Sequence, residues 1–196
     1  QITGLAPFTD SPFATIGNDW GLALKMLSAE DKAWIRKLAD EIGAKMQKEY
    51  WRGLFGIDII KDSGTGKLFL IEINARQPAS TTFESHLQEM RRSSGASGLT
   101  TFEAHLAALL GQPVTKPLIE IDDGAQILQR ITKNVRGVPS DIIEALERDG
   151  FTAIPYENAG ENSDLLRIQS KKGIMSAHNE FNDIGERIML ALKMNI

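Results

Sequence analysis

The chain has no cysteine among its 196 residues. Disulfides, thiolate catalysis and cysteine-ligated zinc are thereby excluded, and a reducing cytoplasm is the expected compartment. No apolar run approaches the ~20 residues that cross a bilayer, and the first residues do not form a signal peptide, so no membrane partner is expected. Basic charge is also scarce. Lys and Arg number 22 against 26 Asp and Glu, a formal net charge of −4, which suggests no nucleic-acid partner. The three histidines, His86, His105 and His178, include no pair at metal-ligand spacing, and His105 reads as a packing residue on a helix face. What remains is ordinary for a globular protein: 42% hydrophobic and 24% charged residues, enough for a real core. The first residue is Gln1 rather than Met. The chain is therefore expected to be the C-terminal part of a longer protein.

Element signals are strongest in the middle. Residues 1–20 are rich in breakers (Gly4, Pro7, Pro12, Gly17) and read as loop. Ser28 with Asp31 resembles a capping pair, and Ile35, Leu38, Ile42 and Met46 continue at helical spacing, so a helix is expected from Ala29 to Glu49. Arg52–Lys61 and Lys67–Ala75 read as strands. A polar loop is expected over 91–99, then a helix capped by Thr100 or Thr101 and ended by Gly111 and Pro113. Further on come a strand over Gln126–Ile131, a helix over Ser140–Arg148, strands over Phe151–Tyr156 and Leu165–Ser170, and a terminal helix over Phe181–Lys193. Strands and helices alternate without a βαβ rhythm, so the expected class is α+β.

The richest stretch is residues 53–76, Gly-Leu-Phe-Gly-Ile-Asp-Ile-Ile-Lys-Asp-Ser-Gly-Thr-Gly-Lys-Leu-Phe-Leu-Ile-Glu-Ile-Asn-Ala-Arg. It reads as two strands joined by a glycine-containing turn, with Gly64 and Gly66 serving that turn. Glu72, Asn74 and Arg76 are spaced by two and share one strand face. Pairing through Asp62–Gly66 brings Asp58 near Glu72. Two carboxylates and an amide oxygen are hard ligands suited to magnesium, and Arg76 offers a planar fork for phosphate or carboxylate. Ile57, Ile59, Ile71 and Ile73 point to the opposite face and predict a strand packed in a core, where a carboxylate must be paired or metal-bound. The alternative is two exposed carboxylates and a rim arginine.

Several pieces in order carry a resemblance: Gln1-Ile2-Thr3-Gly4, Ile16-Gly17-Asn18-Asp19-Trp20, Tyr50-Trp51-Arg52-Gly53, Gly56-Ile57-Asp58-Ile59-Ile60, Leu70-Ile71-Glu72-Ile73-Asn74-Ala75-Arg76 and Thr100-Thr101-Phe102-Glu103-Ala104-His105-Leu106. Residues 1–114 resemble the C-terminal half of an ATP-grasp domain, as in the biotin-carboxylase-related carboxylate ligases. The resemblance implies an antiparallel sheet with flanking helices over 1–114, followed by a small α+β appendage over 115–196. It implies ATP with Mg2+ (or Mn2+) as cofactors. Asp58, Glu72 and Asn74 would hold the metal, Ile60 would lie against adenine, and Arg76 with Asn74 would serve catalysis at the transferred phosphate. Gln77, Ser80 and Thr81 would face the acceptor substrate, although a plain strand-to-helix connection with a hydroxyl cap fits them equally. The implied activity is ATP-dependent ligation. A carboxylate substrate becomes an acyl phosphate and passes to an amine or similar nucleophile, with ADP and phosphate released.

The departures matter too. The family's nucleotide-gripping lysines lie upstream of Gln1, which leaves open a non-catalytic nucleotide- or metal-binding module. Gln77-Pro78-Ala79-Ser80 replaces the continuation found in biotin carboxylases, which argues against a carboxylase component. Asp122-Asp123-Gly124 lacks the further oxygen ligands of a calcium loop and reads as a turn. A homodimer is compatible with the family.

Overall fold

The computed structural model describes residues 1–193. Its elements are β1 (Ile2–Thr3), β2 (Thr15–Asp19), α1 (Trp20–Met26), α2 (Ala29–Lys48), β3 (Gly56–Lys61), β4 (Leu68–Asn74), α3 (Thr81–Ser93), α4 (Thr101–Leu109), β5 (Ala125–Arg130), α5 (Ser140–Arg148), β6 (Thr152–Pro155), β7 (Asp164–Ser170), β8 (Met175–Ala177), β9 (Glu180–Phe181) and α6 (Asp183–Lys193). The class is α+β. Among the described residues no helix is long and apolar enough to cross a membrane.

The chain divides into two compact units, Gln1–Met26 with Ile121–Ile196, and Leu27–Glu120. The sequence reading divides it elsewhere, at residue 114. It also reads residues 1–20 as loop, whereas they contain β1 and β2. The reason is long-range pairing. Asp19, Asn18 and Gly17 of β2 pair with Ala125, Gln126 and Ile127 of β5, more than a hundred residues away. Local periodicity carries no signal for such a partner.

The discontinuous unit is built on a five-stranded antiparallel sheet in the order β1-β2-β5-β7-β6. Gly17, Ile127, Ile168 and Ala153 form one row across it, because each is the register partner of the next. Partners in register share a face. On that face Ala125, Ile127, Leu166 and Ile168 are fully buried. They form one core with Ile142 and Leu146 of α5 and Ile188, Met189 and Leu192 of α6. Those helix residues recur at three or four positions, as an amphipathic face requires. Asp19 ties the N-terminal segment into this unit. Its buried carboxylate accepts the amides of Leu22 (2.7 Å), Ile174 (2.7 Å) and Met175 (2.9 Å). A side chain at Gly173 would place its Cβ 2.9 Å from Asp19 Oδ1, so glycine permits the approach.

The second unit, 27–120, begins with α2, whose N-terminus carries the expected capping box between Ser28 and Asp31. The β3–β4 hairpin follows, then α3 and α4. The reading sets no bounds for α3 and expects loop from 91; α3 runs to Ser93. Thr100 and Glu103 form a second capping box on α4. Buried Gln88 of α3 donates to Ile119 O (2.9 Å) and accepts from Thr101 N (2.6 Å). Arg92 donates to Glu89 (2.6 Å), Gly98 O (3.1 Å) and Glu103. The region from α3 to Ile119 is thus joined largely by polar bonds.

Candidate functional site

The candidate site lies on the β3–β4 hairpin. The strands pair antiparallel as Gly56 with Asn74, Ile57 with Ile73 and Asp58 with Glu72. The register then shifts, continuing as Ile59 with Leu70, Ile60 with Phe69 and Lys61 with Leu68. Ile71 is the extra residue of a β-bulge. The turn is closed by Asp62 N–H to Lys67 O (2.9 Å) and Gly66 N–H to Asp62 O (2.8 Å). The Asp62 carboxylate accepts from both the Thr65 amide and hydroxyl, each at 2.6 Å. The hydroxyl bond, followed by the amide bond, holds the Asp62 pKa below its ordinary value. Gly66 has φ 70°, a conformation that glycine adopts without Cβ strain.

This register places Asp58 directly opposite Glu72, so the two carboxylates share one face. Asn74 joins them: its Nδ2 donates to Asp58 Oδ2 at 3.3 Å. A half-turn of that amide would present its oxygen instead. Like charges directly opposite each other across a strand pair are destabilising. A cation bound between them would relieve such a repulsion. Two carboxylates and an amide carbonyl suit magnesium, which takes one or two carboxylates and completes its octahedron with water and phosphate. Among the described residues no group of three or more His, Asp or Glu side chains converges on a metal position.

The bulge changes what lies next to the carboxylates. Asp58 and Ile60 are two apart on the regular strand and share its face. Phe69, the register partner of Ile60, is on that face as well. Strict alternation along β4 would place Phe69 opposite to Glu72, so the sequence reading misses it. The unbroken apolar run Leu68–Ile71 carries no mark of the bulge. Ile60 and Phe69 are 55% and 53% exposed, an open apolar surface beside the acidic pair.

One expectation is overturned. Ile71 and Ile73 do not pack in a core; they are 58% and 45% exposed. The hairpin is a separate two-stranded sheet, and on its isoleucine face Ile57 and Ile59 are only half-buried. The inference from a buried strand to a carboxylate in need of a partner therefore lapses. The opposition of Asp58 and Glu72 replaces it.

The remaining candidates fall around the end of β4. Arg76 lies two residues past the strand and is exposed, and its backbone amide bonds Asn74 O at 2.8 Å. Gln77 is half-buried. Ser80 sits at the N-cap position of α3 in helical conformation and makes no side-chain cap bond, so the expected hydroxyl cap is not formed. Thr81 is 1% exposed, and among the described residues its hydroxyl has no hydrogen-bond partner. His105 packs as expected. Its Nδ1 accepts the Leu54 amide at 3.0 Å, and a Cβ at Gly53 would lie 2.7 Å from its ring. It fixes the chain entering β3. Lys61, at the end of β3, pairs with Asp31 of α2. In the other unit, Asp123 serves a turn: it accepts from Gly173 N (2.6 Å) and Gly124 N (2.9 Å) and pairs with Lys172 at 3.2 Å.

Compared with known proteins, the chain matches no protein-family model and no curated sequence.

Proposed function

We propose that residues 27–120 carry the metal-binding part of an ATP-dependent carboxylate ligase of the ATP-grasp kind. The observation that carries the reading is the direct opposition of Asp58 and Glu72, with Asn74 bonded to Asp58. Asp58, Glu72 and Asn74 would hold magnesium, which when bound would neutralise charge on the phosphates during transfer. Ile60 and Phe69 would receive the adenine face. Arg76, exposed at the end of β4, would bind the transferred phosphoryl group or the acceptor carboxylate through its planar fork. The share of these residues in catalysis is positioning and electrostatic stabilisation.

The first test is thermal unfolding of this chain with ADP, with and without magnesium, alongside Glu72→Ala. Stabilisation that needs the metal and vanishes in the variant supports the site. Equal stabilisation of both proteins overturns it. In the longer protein that the resemblance implies, Glu72→Gln should abolish carboxylate-dependent ADP release. A second reading, a nucleotide- or metal-binding module without transfer, draws on one observation. Lys61 is engaged by Asp31 and is not free to grip a phosphate. Magnesium-dependent ADP binding without turnover of any carboxylate would favour it.

A further inference from the structure

The hairpin that carries the opposed carboxylates is held at its entry by a titratable group. His105 of α4 is half-buried, and its Nδ1 accepts the Leu54 amide at 3.0 Å. The bond joins α4 to the segment leading into β3 across 51 positions of sequence. The ring also closes on the preceding residue, since a Cβ at Gly53 would lie 2.7 Å from both Nδ1 and Cε1. Gly53 has φ 98°, so glycine serves the backbone turn and the close approach together.

Acceptance at Nδ1 depends on where the ring carries its protons. A neutral imidazole accepts there only with its hydrogen on Nε2, and an imidazolium has N–H groups at both nitrogens and no acceptor. Protonation therefore sets two N–H groups against each other where a bond had been. Histidine changes charge between about pH 5 and 8. The charged groups around α4 offer the cation little in return. From the lead-in segment, Arg52 holds Nη1 3.4 Å from the place a Cβ would take at Gly111. On α4 itself, Glu103 is paired with Arg92 of α3. Also on α3, Glu89 is paired with Arg92, Glu84 accepts the Thr101 hydroxyl, and His86 stacks on Phe83. Among the described residues the His105 ring forms no ion pair.

We propose that His105 is a proton-operated latch on the hairpin, closed while the ring is neutral and open once it is charged. Its contribution is present at the alkaline end of the range and is lost as pH falls through the titration of the ring. The latch rests on this geometry and stands whether or not the hairpin binds a nucleotide. Where the magnesium reading holds, affinity at Asp58 and Glu72 would fall over the same range, and the readout below does not depend on it.

The test is NMR on the full chain between about pH 8 and pH 5. Imidazole nitrogen shifts follow the tautomer and the charging of His105, and amide exchange gives the protection of Leu54. The neutral ring should carry its hydrogen on Nε2. The Leu54 protection factor should fall about tenfold with the same midpoint as the ring, the worth of one net hydrogen bond, while the amides of β5 keep theirs. The fall should persist in Glu84→Gln, which removes the nearby buried carboxyl. It should vanish in His105→Asn, which offers an acceptor oxygen that does not titrate. The wild-type measurements decide by themselves if that variant fails to fold. Protection of Leu54 that stays constant while the ring charges, or falls at another midpoint, overturns the proposal. So does a neutral ring with its hydrogen on Nδ1, a ring still neutral at the acid end, loss of the fall in Glu84→Gln, or its survival in a folded His105→Asn.

Discussion

The two compact units solve the folding problem by different means. In the sheet-bearing unit a core cluster of 16 buried apolar residues lies between one sheet face and two amphipathic helices. In 27–120 the buried apolar side chains are Ile42, Phe83, Leu87 and Ile119, and neither core cluster falls there. That unit relies on directional bonds: two capping boxes, Gln88 bridging α4 and Ile119, the Arg92 fork and His105 under Leu54. Apolar burial is non-directional and tolerates small shifts, whereas a buried polar bridge is costly when half broken. The unit with the weaker core also holds the opposed carboxylates.

The largest expected effect tests the apolar half of this contrast. Leu166→Ala, at a site with 0% exposure, should cost about 2–5 kcal/mol in denaturant unfolding, the range for cavity formation in a packed core. A loss below about 1 kcal/mol would mean that the sheet core is not what holds this unit. Next comes the polar half. Gln88→Leu keeps bulk but leaves Ile119 O and Thr101 N without their partner, at about 1–3 kcal/mol for each stranded group. Amide exchange should rise across α3 and α4, while the amides of β5 and β7 keep their protection. Equal loosening of both regions would show that the units unfold as one.

Acid should act on the polar unit through three carboxyls. The Asp31 pKa lies below its usual value because Lys61 and the Ser28 amide hold the carboxylate, and that of Glu103 lies low through Arg92 and the Thr100 amide. A depressed folded pKa contributes stability above the unfolded value, which is lost as pH falls through the folded one. Their contribution should therefore fade below the ordinary carboxylate range. Glu84 works in the opposite direction. Burial raises its pKa, while the Thr101 hydroxyl bonded at 2.7 Å pulls against the rise. A raised folded pKa means stability falls as pH climbs from the unfolded value through the folded one. Glu84→Gln should keep the Thr101 bond and remove the buried charge. Its melting midpoint should exceed wild type at pH 7 and converge with it near pH 4; a constant difference across that range would show that charge is not the cause.

Where a pattern is local, the sequence discloses the structure. Ser28 and Asp31 predict the start of α2, Ser140–Arg148 matches α5 at both ends, and the Asp62–Gly66 turn sets Asp58 against Glu72. What stays hidden is non-local or one residue deep. The pairing of β2 with β5 leaves no periodic trace, and Asp19 looks like any acidic residue although three amides converge on it. The bulge at Ile71 moves Phe69 to the other face without altering the apolar run. The exposure of Ile71 and Ile73 is equally invisible, because a β-branched strand reads as buried whether or not anything covers it.

The smallest expected effect bears most directly on the site. Glu72 is exposed, so substituting it removes no packing. If the opposition with Asp58 is a cost carried for a cation, Glu72→Gln should be slightly more stable than wild type in chelator, by about 0.2–1 kcal/mol, the range for cross-strand pairs. Magnesium should reverse the order, because it stabilises only the protein that binds it, and by an amount that grows with its concentration. Asn74→Ala should behave differently. It keeps both carboxylates and removes the amide bonded to Asp58, so it should be no more stable than wild type in chelator and gain less from magnesium. A ranking that stays the same with and without magnesium would leave the hairpin as a surface ribbon whose two acids merely happen to face each other. A ranking that inverts would mark a trade of stability for binding, in the half of the molecule with the smaller apolar core.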